Sequence, residues 1–156
     1  GRGGRPARVV GAWGGVVRAT GPGPGARSRV RIGATSDGEL TAIEGWSGYA
    51  VGRVNNLAGF IGAMSLASYK FPNLKLEAVG VLTNTPATAA YRAPSAPQAA
   101  FAVESVIDEI AQTLGLDPID VRLKNAVVEG DPTAMCMPHP RIGFVECLEA
   151  IRDSAH

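Results

Sequence analysis

Apolar and polar residues alternate along much of the first half of the chain, and this period of two predicts β-strands. In the stretch RVRIGA, one face carries every second residue: Val30, Ile32 and Ala34. Asp37-Gly38 follows and is a strong hairpin signal, so residues 40–44 are predicted to return as the partner strand. Two further strands are predicted over residues 7–13 and 76–84.

The second half has the helical period of 3.6 residues. One stripe is apolar at that spacing: Ala100, Val103, Ile107, Ile110 and Leu114. Ser95 and Gln98 form an S-x-x-Q pattern that predicts a capping box at the start of this helix, and Gly115 is placed to end it. Asp117 is predicted to cap the next helix, with Pro118 in its first position. This second helix is predicted over residues 117–125. Two more helices are predicted elsewhere, over residues 54–69 and 143–153.

Strands come first and helices later, without a repeating βαβ rhythm, which predicts the α+β class. We expect antiparallel N-terminal strands in a hairpin, followed by a helical C-terminal half. The predicted organisation is a single partial domain over residues 1–156, strand-rich over 1–92 and helix-rich over 95–156. The stretch GPGPGARS at 21–28 is interpreted first as a flexible turn and second as an anion-binding nest.

Composition indicates a globular protein, since 46% of the residues are hydrophobic and 19% are charged. No apolar run approaches the roughly 18 residues that a membrane span needs, and the first residues have no secretory core, so a soluble, cytoplasmic protein is predicted. Cys136 and Cys147 are too few for a disulfide framework and are interpreted as free thiols. With His139 they offer three zinc ligands where a structural site needs four, so ordinary loop residues are the preferred interpretation.

Charge is distributed unevenly along the chain. Residues 1–36 hold seven arginines and no acid, whereas residues 101–156 hold ten acids and four basic residues. Such asymmetry indicates an anion-binding arm, or two poles that pair with each other or with neighbouring parts. A nucleic-acid-binding arm is disfavoured because Trp13 is its only aromatic residue for base stacking. A structural or assembly module remains an alternative.

Arg92 stands alone in a stretch of small residues and prolines, TPATAAYRAPSAP, just before the long predicted helix. A cation displayed in this way is either a site residue or a solvated charge at a helix entrance. Its pattern alone leaves both interpretations open.

Several stretches follow one another in an order that resembles the large, molybdenum-binding subunit of the xanthine dehydrogenase/aldehyde oxidase family. They are RPARVV, RVRIGATSDGELTAIEG and YKFPNLKLEAVGVLTNTPATAAYRAPSAPQAAFAVESVIDEIAQTLGLDPIDVRLKN, and the resemblance is densest over 83–125. Since such subunits are several times longer, the resemblance implies an internal, truncated part of a molybdopterin-binding region. It implies a parent enzyme that hydroxylates aldehydes or related electron-poor C–H substrates with water-derived oxygen.

The implied cofactors are molybdopterin in the parent enzyme, and iron–sulfur clusters and FAD on other domains or subunits. The implied partners are the remainder of the molybdenum subunit, those redox domains and a small-molecule substrate. The isolated chain is then expected to be inactive, and to self-associate through surface that its neighbours normally cover.

The resemblance assigns Arg92 a catalytic position beside the cofactor, where a fixed guanidinium complements anionic groups without exchanging a proton. It assigns Tyr91, Arg92 and Ala93 to cofactor binding and Pro94 to the substrate pocket, and it implies no metal-ligating side chain in this chain. Glu104 matches an acid of the family, but a structural helix pair is the preferred interpretation. The family's catalytic base is a glutamate that no segment here matches.

Two departures bear on the substrate. Pro94 stands where purine-oxidising members often carry an aromatic residue, and nothing basic lies between Arg53 and Lys70, where those members carry a basic residue. Both departures favour an aldehyde, another small carbonyl compound or a heteroaromatic substrate over a purine. A third departure, Trp13-Gly14-Gly15 in place of a charged run, has no assigned meaning.

Overall fold

The computed structural model describes residues 4, 8–53, 68–89, 96–134 and 136–154. Within them the chain is α+β, as predicted, with one three-stranded sheet and four helices. The elements in chain order are α1 (Trp13–Thr20), β1 (Gly25–Ala34), β2 (Leu40–Gly52), β3 (Asn73–Leu82), α2 (Ala96–Leu114), α3 (Pro118–Asn125) and α4 (Phe144–Arg152).

The predicted hairpin is confirmed. β1 pairs antiparallel with β2, with Val30 opposite Gly45, and Gly38 takes the positive φ of +82° that the turn requires. The alternation also holds, because Val30, Ile32 and Ala34 are half-buried while Arg31 and Gly33 between them are exposed. β2 continues well beyond the predicted residue 44.

β3 confirms the strand predicted around residues 76–84, but it joins the sheet parallel to β2, with Leu76 opposite Gly45. The sheet order is β1-β2-β3, so the sheet is mixed. A parallel neighbour needs a long crossover connection, and residues 53–72 provide it.

α2 lies on the face of the sheet formed by Val30 and its neighbours. The main core contains these buried residues: Leu40, Ile43, Tyr69, Val103, Ile107, Ala111 and Val121. The predicted stripe is wrong at Ala100, which is exposed, because the buried line of the helix runs through Ala99 and Ala111 instead. Small residues at both ends of that line let the helix approach the sheet closely.

The ends of the later helices follow local signals. Gly115 ends α2 with a φ of +67°, and the Asp117 carboxylate caps α3 by accepting from the N–H groups of Ile119 at 2.7 Å and Asp120 at 3.1 Å. α4 confirms the helix predicted over 143–153.

The strand predicted over residues 7–13 is wrong. Residues 8–12 form no strand, and residues 13–20 form α1. Val9 and Val10 have high strand propensity, but a strand needs a sheet edge to receive it, and both side chains are exposed instead. The helix predicted over 54–69 falls outside the described residues except for Ser68 and Tyr69, where Tyr69 forms an isolated bridge with Ala126. In the described part of the chain, no helix is both long enough and apolar enough to span a bilayer.

Candidate functional site

The predicted site residues Tyr91, Arg92, Ala93 and Pro94 lie outside the residues that the structure describes, as does Ser95. The structure describes both flanks of this stretch, up to Ala89 on one side and from Ala96 on the other. We call residues 90–95 the arginine loop.

The N-terminal flank of the arginine loop is tied to the end of β2. Thr88 is 5% exposed and donates from its backbone N–H to the Val51 carbonyl at 3.1 Å, and its hydroxyl donates to the same oxygen at 3.3 Å. The next residue, Ala89, donates its N–H to the Pro22 carbonyl at 3.2 Å. Two backbone segments that are distant in sequence therefore hold this flank.

Two glycines permit this approach. Gly52 has a φ of +74°, and a Cβ built there would overlap the Pro86 carbonyl; Gly21 has a φ of +91°, and a Cβ there would overlap the Ala87 carbonyl. Neither site accepts a side chain, because both the backbone conformation and the space exclude it. Glycine at the end of a strand is a sequence signal for close backbone approach, and it could have indicated Gly52 in advance.

The C-terminal flank is tied to the same region. Gln98, in the first turn of α2, donates from Nε2 to the Pro24 carbonyl at 2.9 Å. Its Oε1 atom is buried and accepts no hydrogen bond from any described residue. The predicted capping box pairs Gln98 with Ser95, which lies outside the described residues, so it stays a prediction.

A groove of about 560 Å³ lies beside these contacts. Its lining includes Ala26, Ser28, Gln98 and Phe101, so it separates the beginning of β1 from the first turns of α2. Phe101 is 77% exposed at its rim.

Glu104 belongs to an ion-pair network between helices. The Tyr69 hydroxyl donates to its carboxylate at 2.8 Å, and Arg122 donates to it from Nε at 2.9 Å. Arg122 also pairs with Asp108 at 2.7 Å, which joins α2 to α3. Burial, and then the hydrogen bond to Glu104, raise the pKa of Tyr69 above its ordinary value of 10.0. These contacts give Glu104 the structural role that the sequence favoured.

The cysteines do not form a metal centre in the described part of the chain. Cys136 and Cys147 are exposed free thiols, and no group of three potential ligands lies close enough to hold a metal ion there. The basic segment 1–36 and the acidic segment 101–156 are not paired in the described part of the chain, because no salt bridge among its residues joins the two segments. Arg31 pairs instead with Glu44 across the hairpin at 3.6 Å.

Residues 2–126 match the family model of the molybdopterin cofactor-binding domain. The chain belongs to this family. It is 30% identical over 134 residues to the nicotinate dehydrogenase large molybdopterin subunit of Eubacterium barkeri, a match that covers 80% of this chain and 31% of that subunit. It is 34% identical over 137 residues to the xanthine dehydrogenase molybdenum-binding subunit of Escherichia coli O157:H7, covering 78% of this chain and 18% of that one.

A solved structure shows the same relationship. The aldehyde oxidoreductase from Desulfovibrio gigas superimposes with a TM-score of 0.76 and 26% sequence identity, over 86% of this chain and 15% of that chain. The chain thus spans less than a third of each of these relatives. These comparisons confirm the resemblance to molybdenum-binding subunits of the xanthine dehydrogenase and aldehyde oxidase type.

Proposed function

We propose that this chain is the part of a molybdenum hydroxylase that presents the arginine loop to the cofactor. The enzyme hydroxylates aldehydes or related electron-poor C–H substrates with oxygen derived from water. The observation that carries the proposal is the family match over residues 2–126, which includes the whole loop. Since the chain spans less than a third of its relatives, the remainder of the molybdenum subunit supplies the other cofactor contacts.

The proposed roles follow from charge and size. Arg92 is a fixed cation beside an anionic cofactor and the reacting end of the substrate, while Tyr91 and Ala93 bring backbone groups to the cofactor. Pro94 forms part of the substrate pocket. When bound, the molybdenum cofactor supplies the oxygen-transfer chemistry and takes up the electrons, which pass to iron–sulfur clusters and FAD on other domains or subunits.

The described flanks fit a cofactor of this kind. The base of the loop is built from residues with little or no side chain, among them Gly21, Gly52, Ala87 and Ala89, so backbone N–H groups can come close to an anionic ligand. The hydrogen bonds of Ala89 and Gln98 fix both flanks before any ligand arrives. A preorganised cation stabilises developing charge without a cost of reorganisation during the reaction.

An aldehyde is favoured over a purine because Pro94 has no aromatic ring that could stack on a purine. The relatives are a nicotinate dehydrogenase, a xanthine dehydrogenase and an aldehyde oxidoreductase. Membership of the family therefore does not by itself select one substrate class.

The test uses Arg92→Lys and Arg92→Ala in the full-length enzyme, with turnover measured per bound molybdenum. Removing a fixed transition-state contact lowers turnover by roughly a hundred- to a thousandfold, or ~2.7–4 kcal/mol. Lysine should not rescue activity, since a point charge cannot reproduce the planar guanidinium fork. The matched control is Arg29→Ala, because Arg29 is an exposed arginine on the open face of β1.

Turnover within about threefold of the parent, with molybdenum retained, would remove Arg92 from the site. A full-length protein that contains neither molybdenum nor pterin would instead favour the structural or assembly module. Salt-dependent retention on nucleic acid by that protein would favour the basic-arm alternative.

A further inference from the structure

We propose that a β-strand from the part of the molybdenum subunit outside this chain adds to the free edge of β1 and covers one side of α2. The strand carries apolar residues at alternate positions, on the face that meets α2. The proposal goes beyond the proposed function and uses no residue of the arginine loop, so the outcome of the Arg92 variants leaves it unaffected.

β1 has a free edge in the described part of the chain. The sheet order is β1-β2-β3, so β1 pairs with β2 on one side and with no described strand on the other. β1 is ten residues long, Gly25–Ala34, and it offers roughly 33 Å of edge at about 3.3 Å per residue. The backbone N–H and C=O groups along such an edge are a template for a further strand.

Two grooves follow this edge between β1 and α2. One has a volume of about 560 Å³ and lies between Ala26 and Ser28 of β1 and the first turns of α2. The other, of about 420 Å³, lies between Ile32 and Ala34 of β1 and the last turns of α2. Among the described residues, none from β2 lines either groove. Both grooves therefore lie on the outer side of β1, where a further strand would run.

The apolar surface of α2 is wider than the part that packs on the sheet. One line of residues, four apart, is buried in the core: Ala99, Val103, Ile107 and Ala111. The line next to it has the same spacing, lines the two grooves and is only half-buried: Ala102, Val106, Ile110 and Leu114. Phe101, beside this second line, is 77% exposed. A continuous apolar surface of this kind is typical of a site that another element covers.

A strand suits this surface better than a helix does. It can pair with the free backbone groups of β1, and every second side chain then points towards the half-buried line of α2. A helix could cover the apolar line, but it would leave the backbone groups of the β1 edge without partners.

The charge of β1 argues against a second copy of this strand as the occupant. GARSRVRIGA has three arginines and no acid, so two copies paired edge to edge would bring like charges together. Arg31 is paired with Glu44 at 3.6 Å, whereas Arg27 has no ion pair in the part of the chain that the structure describes. An acidic residue of the occupant beside Arg27 would complement this charge.

The remainder of the subunit is the source that best fits these requirements. The chain spans less than a third of its relatives, so most of such a subunit lies outside the 156 residues. That remainder belongs to the same polypeptide, and its effective concentration at the β1 edge exceeds that of a separate partner.

Photo-cross-linking in the full-length enzyme identifies the occupant. With p-benzoylphenylalanine in place of Phe101, irradiation should capture one peptide of the same subunit from outside residues 1–156, and its residues should alternate between apolar and polar. The matched control places the same amino acid at Met137, which is 54% exposed but lines neither groove. This control should not capture that peptide.

Other cross-links would overturn the proposal. Capture of a second copy, of an iron–sulfur or flavin subunit, or of a peptide within residues 1–156 would each name a different occupant. Absence of any cross-link from Phe101 would show that the groove is filled by solvent.

Hydrogen exchange in the full-length enzyme tests the strand pairing itself. Val106→Glu places a carboxylate in the groove, where the docked strand would bury it at high cost. We expect the amides on the outer edge of β1 to exchange at least about tenfold faster in this variant than in the parent enzyme. Gln112→Glu is the control, because Gln112 is exposed on the same helix and lines neither groove.

Exchange that is unchanged in Val106→Glu, or equally faster in both variants, would overturn the proposal. If Val106→Glu does not fold, the photo-cross-link from Phe101 decides the question alone.

Discussion

Asn125 attaches the turn of the hairpin to the helices. It is 3% exposed, and its Oδ1 accepts from the Leu40 N–H at 2.8 Å. Its Nδ2 donates to the carbonyls of Gly38 and Val121, both at 2.8 Å. One buried amide therefore joins residues that lie up to 87 positions apart in the sequence.

We expect Asn125→Ala to lower the free energy of unfolding by about 2–4 kcal/mol, because it leaves buried backbone groups of Leu40 and Gly38 without partners. Urea denaturation of the chain measures this change. The control is Asn73→Ala, which removes one exposed bond to the Thr41 carbonyl and should cost less than about 1 kcal/mol. Equal effects of the two variants would contradict the central role of Asn125.

Asp37 makes the same turn sensitive to pH. Its hydrogen bond to Lys124, and then that to Thr35, lower its pKa from 3.8 to about 2. A carboxyl group whose pKa is lower in the folded state stabilises that state at pH values above 3.8, and this contribution is lost as pH falls towards 2.

We expect Asp37→Asn to be less stable than the parent at neutral pH and to converge with it as the pH is lowered through this window. Denaturation midpoints measured at several pH values test the expectation. High salt should reduce the difference, because the pair is exposed to solvent. A difference that stays constant down to pH 2 would contradict it.

At the scale of elements, the close approach of residues 86–87 to the end of β2 depends on Gly52. Gly52 and Gly130 both have positive φ angles, +74° and +88°, but only Gly52 lies against another backbone segment. Comparison of the two glycines separates the cost of the backbone conformation from the cost of steric overlap.

We expect Gly130→Ala to lower the free energy of unfolding by about 1–2 kcal/mol, the cost of a left-handed alanine. Gly52→Ala should cost clearly more, since its Cβ would overlap the Pro86 carbonyl and displace residues 86–89. Chemical denaturation measures both variants. Gly52→Ala with a stability close to that of Gly130→Ala would show that the approach of Pro86 is not required.

At the scale of the whole molecule, several large apolar side chains are exposed. β3 forms one edge of the described sheet, and four of its residues contribute to this surface: Leu74, Val79, Val81 and Leu82. An exposed apolar edge strand is a template for association with another chain. The relatives are much longer than this chain, and we expect other parts of the enzyme to cover this surface.

We therefore expect the 156-residue chain alone to self-associate and to bind a hydrophobic dye. Val81→Lys, which puts a charge on the exposed edge, should reduce both effects. Sedimentation at increasing concentration measures the association. A chain that remains monomeric at high concentration and binds no dye would contradict the expectation.

Sequence by itself determined those features that depend on neighbouring residues. The alternation of β1, the Asp37-Gly38 turn, the Asp117 cap and the end of α2 at Gly115 were all predictable, because each follows from the local geometry of a few consecutive residues. Arg92 was singled out by its setting and by family resemblance, and its role remains a prediction.

Only the tertiary structure decided the features that depend on distant residues. The parallel direction of β3, the helix in place of a strand after Ala12, and the bond from Gln98 to Pro24 have no local signal. Propensity describes what a segment can form alone, but a strand needs a neighbouring edge and a buried amide needs a partner, and both are supplied by parts of the chain far away in sequence. The hydrogen bonds that join residues 22–24 to Ala89 and Gln98 were therefore visible only once the fold had brought these residues together.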